Sequence, residues 1–266
     1  MSENCNHDCA NCKSKSEGCS FNAPLNKASK IGRVIAVASG KGGVGKSFVT
    51  TMLAVSAMKK NLKVGILDAD VTGPSIPTAF GIGSGAYKSE DGIEPAITNG
   101  GIRVMSLDML LENPADPVVW RGPVIAGCVK QFWTDVHWGE LDILFVDMPP
   151  GTGDVPLTVF QSLPVDGVVV VTTPQKLVEK IVGKAVKMCS LMNKKIIGLV
   201  ENMSGVICKD CGKKIDVFGP SRVEELAKFY GIDTAVAIPI NPEYTQLVDA
   251  GRAETFDIEQ LSEILK

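Results

Sequence analysis

Gly40-Lys-Gly-Gly-Val-Gly-Lys-Ser47 is a complete G-x-x-x-x-G-K-S motif in a chain of 266 residues. An apolar run at 33–39 precedes the motif, and apolar residues at helical spacing follow it over 46–59. The motif therefore lies where a buried strand turns into a helix, which is the context that a phosphate-binding loop requires. A glycine-rich turn without a ligand is the alternative, and the strand and helix on either side disfavour it.

The residue types in this loop indicate which phosphate groups it contacts. Backbone N–H groups can close around phosphate oxygens at the positive end of the helix where residues lack a Cβ, as do Gly40, Gly42, Gly43 and Gly45. Lys46 would neutralise the β and γ oxygens, and the Ser47 hydroxyl would ligate Mg²⁺. Lys41 and Val44 complete the loop, so we expect all eight residues to contact a nucleoside triphosphate.

From residue 33 onward, short apolar runs alternate with helical segments. Strands are expected near 33–38, 63–68, 102–107, 142–147, 167–173, 195–200 and 234–238. Helices are expected near 45–60, 122–136, 154–162, 176–192, 220–230 and 257–265. Continuous apolar strands such as 167–172 indicate burial on both faces, which predicts an α/β fold with a mostly parallel sheet and helices on both faces.

The chain divides by composition into two parts. Residues 1–30 are polar, dense in cysteine and poor in large apolar side chains, so this tail cannot form a core of its own. Residues 31–266 are expected to form one nucleotide-binding domain. Within this domain, the Gly-, Pro- and Ser-rich stretch near 71–101 predicts a loop with little regular structure.

Acidic residues follow two of the expected strands, at the sheet edge where such folds bind ligands. Asp68 and Asp70 end the second strand, and Asp147 ends the fourth. Two carboxylates two residues apart could orient Mg²⁺ through its water shell and hold an attacking water, while Asp147 could support the metal. Each residue alone could instead be a helix cap or turn former.

The overall charge and the start of the chain argue against two classes of partner. The formal net charge is −3, and no basic cluster indicates binding to nucleic acid. The first residues lack the charged and apolar regions of a signal peptide, and no apolar stretch is long enough to span a membrane. We expect a cytoplasmic protein that does not bind membranes, in which the eight cysteines are thiols, metal ligands or redox groups.

Two cysteines near the end of the chain form a C-x-x-C motif. Cys208 and Cys211 can converge on one metal centre because the short turn between them reverses the chain. A two-fold dimer would bring together the four thiolates that a [4Fe–4S] cluster takes. The spacing alone also fits a zinc knuckle or a redox dithiol. Cys128 and Cys189 fall in apolar helical stretches and are expected to be ordinary buried residues.

Four further cysteines lie within 15 residues of the tail, at Cys5, Cys9, Cys12 and Cys19. A metal can replace hydrophobic burial as the source of order in such a segment. The tail could hold a second [4Fe–4S] cluster or zinc, or its thiols could be unliganded.

The motif at 40–47 resembles the deviant phosphate loop of the MinD, ParA and nitrogenase iron-protein superfamily of dimeric ATPases. Within that superfamily, the chain from about 33 to 250 closely resembles the Mrp/ApbC (Nbp-type) family of iron–sulfur carriers. The resemblance is carried by Asp68-Ala-Asp-Val-Thr-Gly-Pro-Ser-Ile-Pro77, Val119-Trp-Arg-Gly-Pro123, Trp138-Gly-Glu-Leu-Asp142, Asp147-Met-Pro-Pro-Gly-Thr-Gly-Asp154, Glu201-Asn-Met-Ser204 and Cys208-Lys-Asp-Cys211.

The resemblance implies a homodimeric ATPase that uses Mg²⁺ and ATP, assembles a [4Fe–4S] cluster on the C-x-x-C motif and transfers it to apo iron–sulfur proteins. It further implies that Lys41 reaches the partner's phosphates, that Asp70 positions the attacking water and that Asn202 contacts adenine. Lys41 could otherwise be a solvated loop lysine.

Two other functions remain open at this point. A partitioning ATPase like MinD or ParA would need a basic amphipathic C-terminal helix, whereas residues 256–266 are acidic. A nucleotide-dependent electron carrier would retain its cluster through turnover, whereas a carrier would release it.

Overall fold

The computed structural model describes residues 22–70, 75–83, 87–110, 122–151, 153–175, 178–256 and 259–266. Its strands are β1 (Lys30–Ser39), β2 (Val64–Asp68), β3 (Tyr87–Ser89), β4 (Gly92–Glu94), β5 (Ala96–Ile97), β6 (Arg103–Ser106), β7 (Glu140–Asp147), β8 (Gly167–Thr172), β9 (Ile196–Ile207), β10 (Lys214–Ile215) and β11 (Ala235–Ile240). Its α-helices are α1 (Lys46–Lys59), α2 (Ile76–Ala79), α3 (Gly122–Asp135), α4 (Asp154–Ser162), α5 (Val178–Leu191), α6 (Val223–Tyr230) and α7 (Pro242–Asp249). Three 3-10 helices are Leu107–Leu110, Ala253–Thr255 and Gln260–Glu263.

Nine strands of the described residues form one sheet, in the order β10-β9-β8-β1-β7-β2-β6-β5, with β11 also paired to β9. The pairings of β1, β2, β7, β8 and β11 are all parallel, and only β5 and β10 run antiparallel to their neighbours. The prediction of a mostly parallel sheet is confirmed.

Helices cover both faces of this sheet, as the continuous apolar strands predict. Along β1, the side chains of Val34, Ala36 and Ala38 enter one buried cluster with α3, α4 and α5. Ile35 and Val37 enter a second cluster with α1 and α2. The alternation follows from the two-residue repeat of a strand, so a strand that is buried on both faces must be apolar at every position.

Two expectations about secondary structure were wrong in detail. The stretch 71–101 contains α2, the small β3–β4 hairpin and β5, which forms because it pairs with β6. The helix expected near 257–265 is replaced, in the described part 259–266, by a 3-10 turn. The last α-helix is α7, whose N-terminal cap is Asn241, with its Oδ1 accepting a hydrogen bond from Glu243 N at 3.0 Å.

Residues 22–29 pack on the domain before β1 begins. Ala23 N donates to Ser162 O at 2.7 Å, and Trp133 Nε1 donates to Ala23 O at 2.9 Å. The four tail cysteines, Cys5, Cys9, Cys12 and Cys19, lie outside the described residues. Among the helices that the structure describes, none has the length and apolar character needed to cross a bilayer.

Candidate functional site

The phosphate loop connects the end of β1 to the first residue of α1. Gly45 adopts φ 78° and Gly43 adopts φ 76°, a left-handed conformation that glycine accommodates without steric cost. Gly40 faces α5 so closely that a Cβ there would lie 2.5 Å from Ile181 O. Gly43 and Gly45 are therefore favoured by the backbone conformation and Gly40 by its close approach to α5, and the first N–H groups of α1 have no carbonyl partner within the helix.

Lys46 lies among the predicted acids. Its Nζ is 2.9 Å from Asp147 Oδ2 and 3.3 Å from Asp70 Oδ2, and the lysine side chain is only 5% exposed. Burial opposes the charge of Lys46, but the two carboxylates outweigh it and raise the pKa of the lysine. The structure thus brings together three of the predicted site residues, with the carboxylates of Asp70 and Asp147 around the buried ammonium group of Lys46.

Asp147 is the residue on which this cluster converges. Its Oδ2 accepts a hydrogen bond from Ser47 Oγ at 2.5 Å, and its Oδ1 accepts one from Thr50 Oγ1 at 2.7 Å. The carboxylate is fully buried. Thr50 was not predicted as a site residue, although its position one helical turn after Lys46 could have indicated it.

Asp68 is also buried, but it faces a different set of partners. It accepts hydrogen bonds from Asp70 N at 3.1 Å and from Ser106 Oγ at 3.2 Å. Burial, followed by the negative charge of Asp147, raises the pKa of Asp68 well above its ordinary value. Asp68 consequently supports the position of Asp70, and its own carboxyl group is biased toward the neutral form.

Lys41 contacts another part of its own chain. Its Nζ donates to Oε1 of Gln175 at 2.5 Å, just beyond the end of β8. Gln175 was not predicted as part of the site, because nothing in the local sequence relates it to a lysine 134 positions away.

A cavity of about 340 Å³ opens beside the N-terminus of α1. We call it the aromatic cavity because three of its walls are aromatic rings; it is lined by Gly45, Phe48, Asn202, Met203, Phe218, Pro239, Ile240, Asn241, Tyr244, Thr245 and Val248. Asn202 is 5% exposed, and its Nδ2 donates to Val44 O of the phosphate loop at 3.0 Å. The cavity has the size, the apolar lining and the few polar groups of a small-molecule site.

The C-x-x-C motif lies at the tip of a hairpin formed by the end of β9 and β10, which we call the thiol hairpin (residues 206–215). Cys208 N donates to Lys213 O at 3.0 Å, and Gly212 N donates to Cys208 O at 2.9 Å. Cys211 is exposed and Cys208 is partly exposed. Hydrogen bonds from the backbone of Cys211 and Asp210 lower the pKa of Cys208, which favours the thiolate that binds metals.

The other described cysteines differ from this pair. Cys189 is buried, and burial raises its pKa to about 11. Cys128 is partly buried, and burial raises its pKa also. In the described part of the chain, no group of three or more His, Cys, Asp or Glu side chains is placed to hold a metal ion. Cys208 and Cys211 therefore supply two neighbouring thiols, and no third donor lies with them in the part of the chain that the structure describes.

Comparison with known proteins places this geometry in a family. Residues 30–265 match the family model of the NUBPL iron-transfer P-loop NTPases. The chain belongs to that family. It is thus a P-loop NTPase by descent, in agreement with the loop, the acids and the sheet described above.

Curated relatives carry names that agree with this assignment. An iron-sulfur cluster carrier protein of Clostridium perfringens is 44% identical over 262 residues, covering 94% of this chain and 92% of its own. The cytosolic Fe-S cluster assembly factor CFD1 of Eremothecium gossypii is 40% identical, covering 83% of this chain and 82% of its own.

Solved structures show the same fold. A nucleotide-binding protein of Archaeoglobus fulgidus, solved in complex with ADP, is 45% identical with a TM-score of 0.79, covering 86% of this chain and 90% of its own. The cell division ATPase MinD of Pyrococcus furiosus has a TM-score of 0.62 at 20% identity, covering 88% and 96% of the two chains. At that identity, the likeness to MinD concerns the fold alone.

Proposed function

We propose that this protein is an ATP-hydrolysing iron–sulfur cluster carrier, which holds a [4Fe–4S] cluster between two copies of the chain and transfers it to apo-proteins. The observation that carries the proposal is the pair of thiols at the hairpin tip, Cys211 exposed and Cys208 partly exposed, next to a nucleotide-type site. The pair is half of a cluster site and it lies where a second chain has access.

The nucleotide chemistry follows from the residues around the phosphate loop. The Ser47 hydroxyl and the Asp147 carboxylate are hard oxygen donors that lie in contact, which is the donor type Mg²⁺ takes. Bound there, Mg²⁺ would neutralise charge on the phosphate oxygens. Lys46 would exchange its contacts with the two aspartates for the β- and γ-phosphates, and Asp70 would then orient the attacking water.

Asn202 and the aromatic cavity are proposed to bind the base of ATP. The Asn202 amide touches the phosphate loop at Val44, so a base in this cavity would lie directly beside phosphates bound at 40–47. Aromatic walls suit a planar base, because stacking on a ring is favourable for any base. The ADP in the Archaeoglobus relative supports nucleotide binding here.

We propose that Lys41 acts on the nucleotide of the second copy. For that it must leave Gln175, and the cost is small because the contact is an exposed hydrogen bond. A lysine supplied from the partner would stabilise the charge that spreads over the γ-phosphoryl oxygens. ATP-bound dimers would then differ from nucleotide-free ones in how the two thiol hairpins face each other.

The cluster is the cargo of this cycle. Two thiolates from each chain supply four, the number that a [4Fe–4S] cluster takes. The exposure of Cys211 favours transfer, since an acceptor's thiols must reach the irons directly. Apo iron–sulfur proteins in the cytoplasm are the proposed recipients, and neither nucleic acid nor a membrane takes part. The tail cysteines are proposed to hold a second [4Fe–4S] cluster or zinc.

Anaerobic reconstitution tests the proposal. Purified full-length protein in which Cys5, Cys9, Cys12 and Cys19 are replaced by Ser is given iron and sulfide, and its metal content and its size are measured. We expect about one half of a [4Fe–4S] cluster per chain, carried by a dimer.

Matched variants complete this experiment. The change Cys208→Ala with Cys211→Ala should abolish loading, while Cys128→Ala, which alters a thiol away from the hairpin, should not. A cluster-loaded monomer, or zinc in place of iron, would contradict the proposal. Transfer of the cluster to an apo-protein during ATP turnover separates a carrier from an electron carrier, which would retain it.

A further inference from the structure

The thiol hairpin and the aromatic cavity share a side chain. Phe218 lines the cavity together with Asn202 and Phe48, and it lies seven residues beyond Cys211 on the segment that leaves the hairpin. Phe218 is 41% exposed, so a ligand that fills the cavity has an aromatic side chain to cover. A ligand in the cavity would therefore contact the segment that directly follows the thiol hairpin.

The backbone on either side of Phe218 is joined to the hairpin by hydrogen bonds. Val217 N donates to Ile215 O at 3.1 Å, and Gly219 N donates to Asp216 O at 3.3 Å, which closes a tight turn directly after β10. Ile215 in turn pairs with Val206, two residues before Cys208. A restraint on the Phe218 ring is thus passed to β10 and to both ends of the thiol loop.

A second contact ties the thiol loop to the opposite wall of the cavity. Lys209 Nζ, next to Cys208, lies 3.0 Å from Glu243 Oε1 on α7, and the neighbouring Tyr244 lines the cavity. Both partners of this ion pair are largely exposed, at 75% and 63%. Exposed pairs of this kind contribute little, so the Lys209–Glu243 ion pair by itself would couple the thiol loop to the cavity only weakly.

The phosphates have a longer route to the thiols. The acids around Lys46 lie at the ends of β2 and β7, whereas β9 is separated from β7 by β8 and β1 in the sheet. The base, in contrast, would lie directly on β9, which continues into Cys208. Among the described residues, the loop meets β9 at the hydrogen bond from Asn202 Nδ2 to Val44 O, and Gly45 of the loop lines the same cavity.

We propose that a nucleobase bound in the aromatic cavity packs against Phe218 and restrains the thiol hairpin. The base, rather than the phosphates, would then change the mobility and reactivity of Cys208 and Cys211 when nucleotide binds. This inference rests on the proposed function in one respect, that the cavity binds the base. It assigns to Phe218 the role of a positioning residue for the thiol pair, which acts without touching the cluster or the reacting phosphate.

The test compares thiol reactivity with and without nucleotide. Apo full-length protein is treated with iodoacetamide, and the alkylation rates of Cys208 and Cys211 are followed by peptide mass spectrometry. Saturating ADP should slow both rates about fivefold or more, the usual lower range for coupling between two sites. Inorganic tripolyphosphate, which fills the phosphate loop but has no base, should leave them unchanged.

Two substitutions on the same segment make the test specific. With Phe218→Ala, ADP should bind about tenfold more weakly through loss of stacking, and ADP at its own saturating concentration should no longer slow alkylation. Val217→Ala removes a neighbouring apolar side chain that does not line the cavity and should behave as the unmodified protein does. Phe218→Leu keeps most of the side-chain volume but removes the aromatic ring, and it replaces the alanine variant in the test if that variant does not fold.

The outcomes separate this inference from the proposed function. Equal protection by tripolyphosphate and ADP would overturn it in favour of a phosphate route, as would undiminished protection in Phe218→Ala and Phe218→Leu. Tight ADP binding without any protection would also overturn it and leave the proposed function intact. Failure of ADP to bind the unmodified protein would contradict both this inference and the proposed function.

Discussion

The hydroxyl of Ser47 donates a hydrogen bond to the carboxylate of Asp147 across 2.5 Å, although 100 positions of sequence separate the two residues. Ser47 lies in the first turn of α1, and Asp147 is the last residue of β7. They meet because β1, which leads into the loop, pairs with β7 in parallel, with Val37 opposite Asp147. Two elements far apart in the chain thus bring together the hydroxyl and the carboxylate that are proposed to hold Mg²⁺.

Lys46 and Asp70 are expected to fail in different ways when replaced. Lys46→Ala removes phosphate neutralisation, so it should weaken ATP binding and nearly abolish hydrolysis. Asp70→Ala should still bind ATP but hydrolyse it at least a hundredfold more slowly, about the contribution of a positioned catalytic carboxylate. Calorimetry measures the affinity of each variant for ATP, and the release of inorganic phosphate measures its rate of hydrolysis. Hydrolysis at the parental rate in Asp70→Ala would show that this carboxylate has another role.

The buried pair of Lys46 and Asp147 should be strongly coupled in stability. Asp147→Asn leaves the ammonium with less compensation and should lower the free energy of unfolding by about 3 kcal/mol. In Asp147→Asn with Lys46→Met, the loss should be about 1–3 kcal/mol smaller than the sum of the single changes.

Urea unfolding of the wild type, Asp147→Asn, Lys46→Met and the double variant measures this coupling. The exposed pair of Lys63 and Glu140, whose charged atoms are 3.0 Å apart, is the control and should show no measurable coupling. Additive effects at the buried pair would indicate that Asp70, and not Asp147, is the main partner of Lys46.

Cys189 should make the fold sensitive to alkaline pH. Its pKa of about 11 lies above the ordinary value of 9.0, so its contribution to stability is complete below pH 9 and is lost as the pH rises toward 11. In that window the unfolded thiol ionises and the folded one does not. The free energy of unfolding should fall by about 2–3 kcal/mol more than in Cys189→Ala. Urea unfolding at several pH values, compared between the two proteins, gives this difference. Parallel curves would mean that the thiol is not buried in solution.

Mixed dimers test whether Lys41 acts on the partner's nucleotide. A wild-type chain is paired with a chain that carries both Lys41→Ala and Lys46→Ala. If Lys41 acts across the dimer, the intact loop lacks its partner's lysine and hydrolysis should fall about a thousandfold. If Lys41 acts within its own chain, about half of the wild-type activity remains. Isolated heterodimers, with subunit exchange excluded, are required for the measurement.

The sequence alone determined the phosphate loop, the parallel sheet and the thiol pair, because each depends on residues that are near one another in the chain. The glycines and Lys46 are contiguous, strands buried on both faces must be apolar throughout, and a C-x-x-C turn brings two thiols together locally. The same reasoning placed Asp68, Asp70 and Asp147 at strand ends beside the loop, where the structure has them.

Only the tertiary structure decided which side chains pair across these elements. Thr50 with Asp147, Lys41 with Gln175, and the Phe218 ring in the cavity beside Asn202 depend on strand order and register. Helix α7 escaped prediction despite its capping residue because it is only eight residues long and none of its residues is fully buried. Such contacts follow from the packing of distant segments, and no local pattern encodes them.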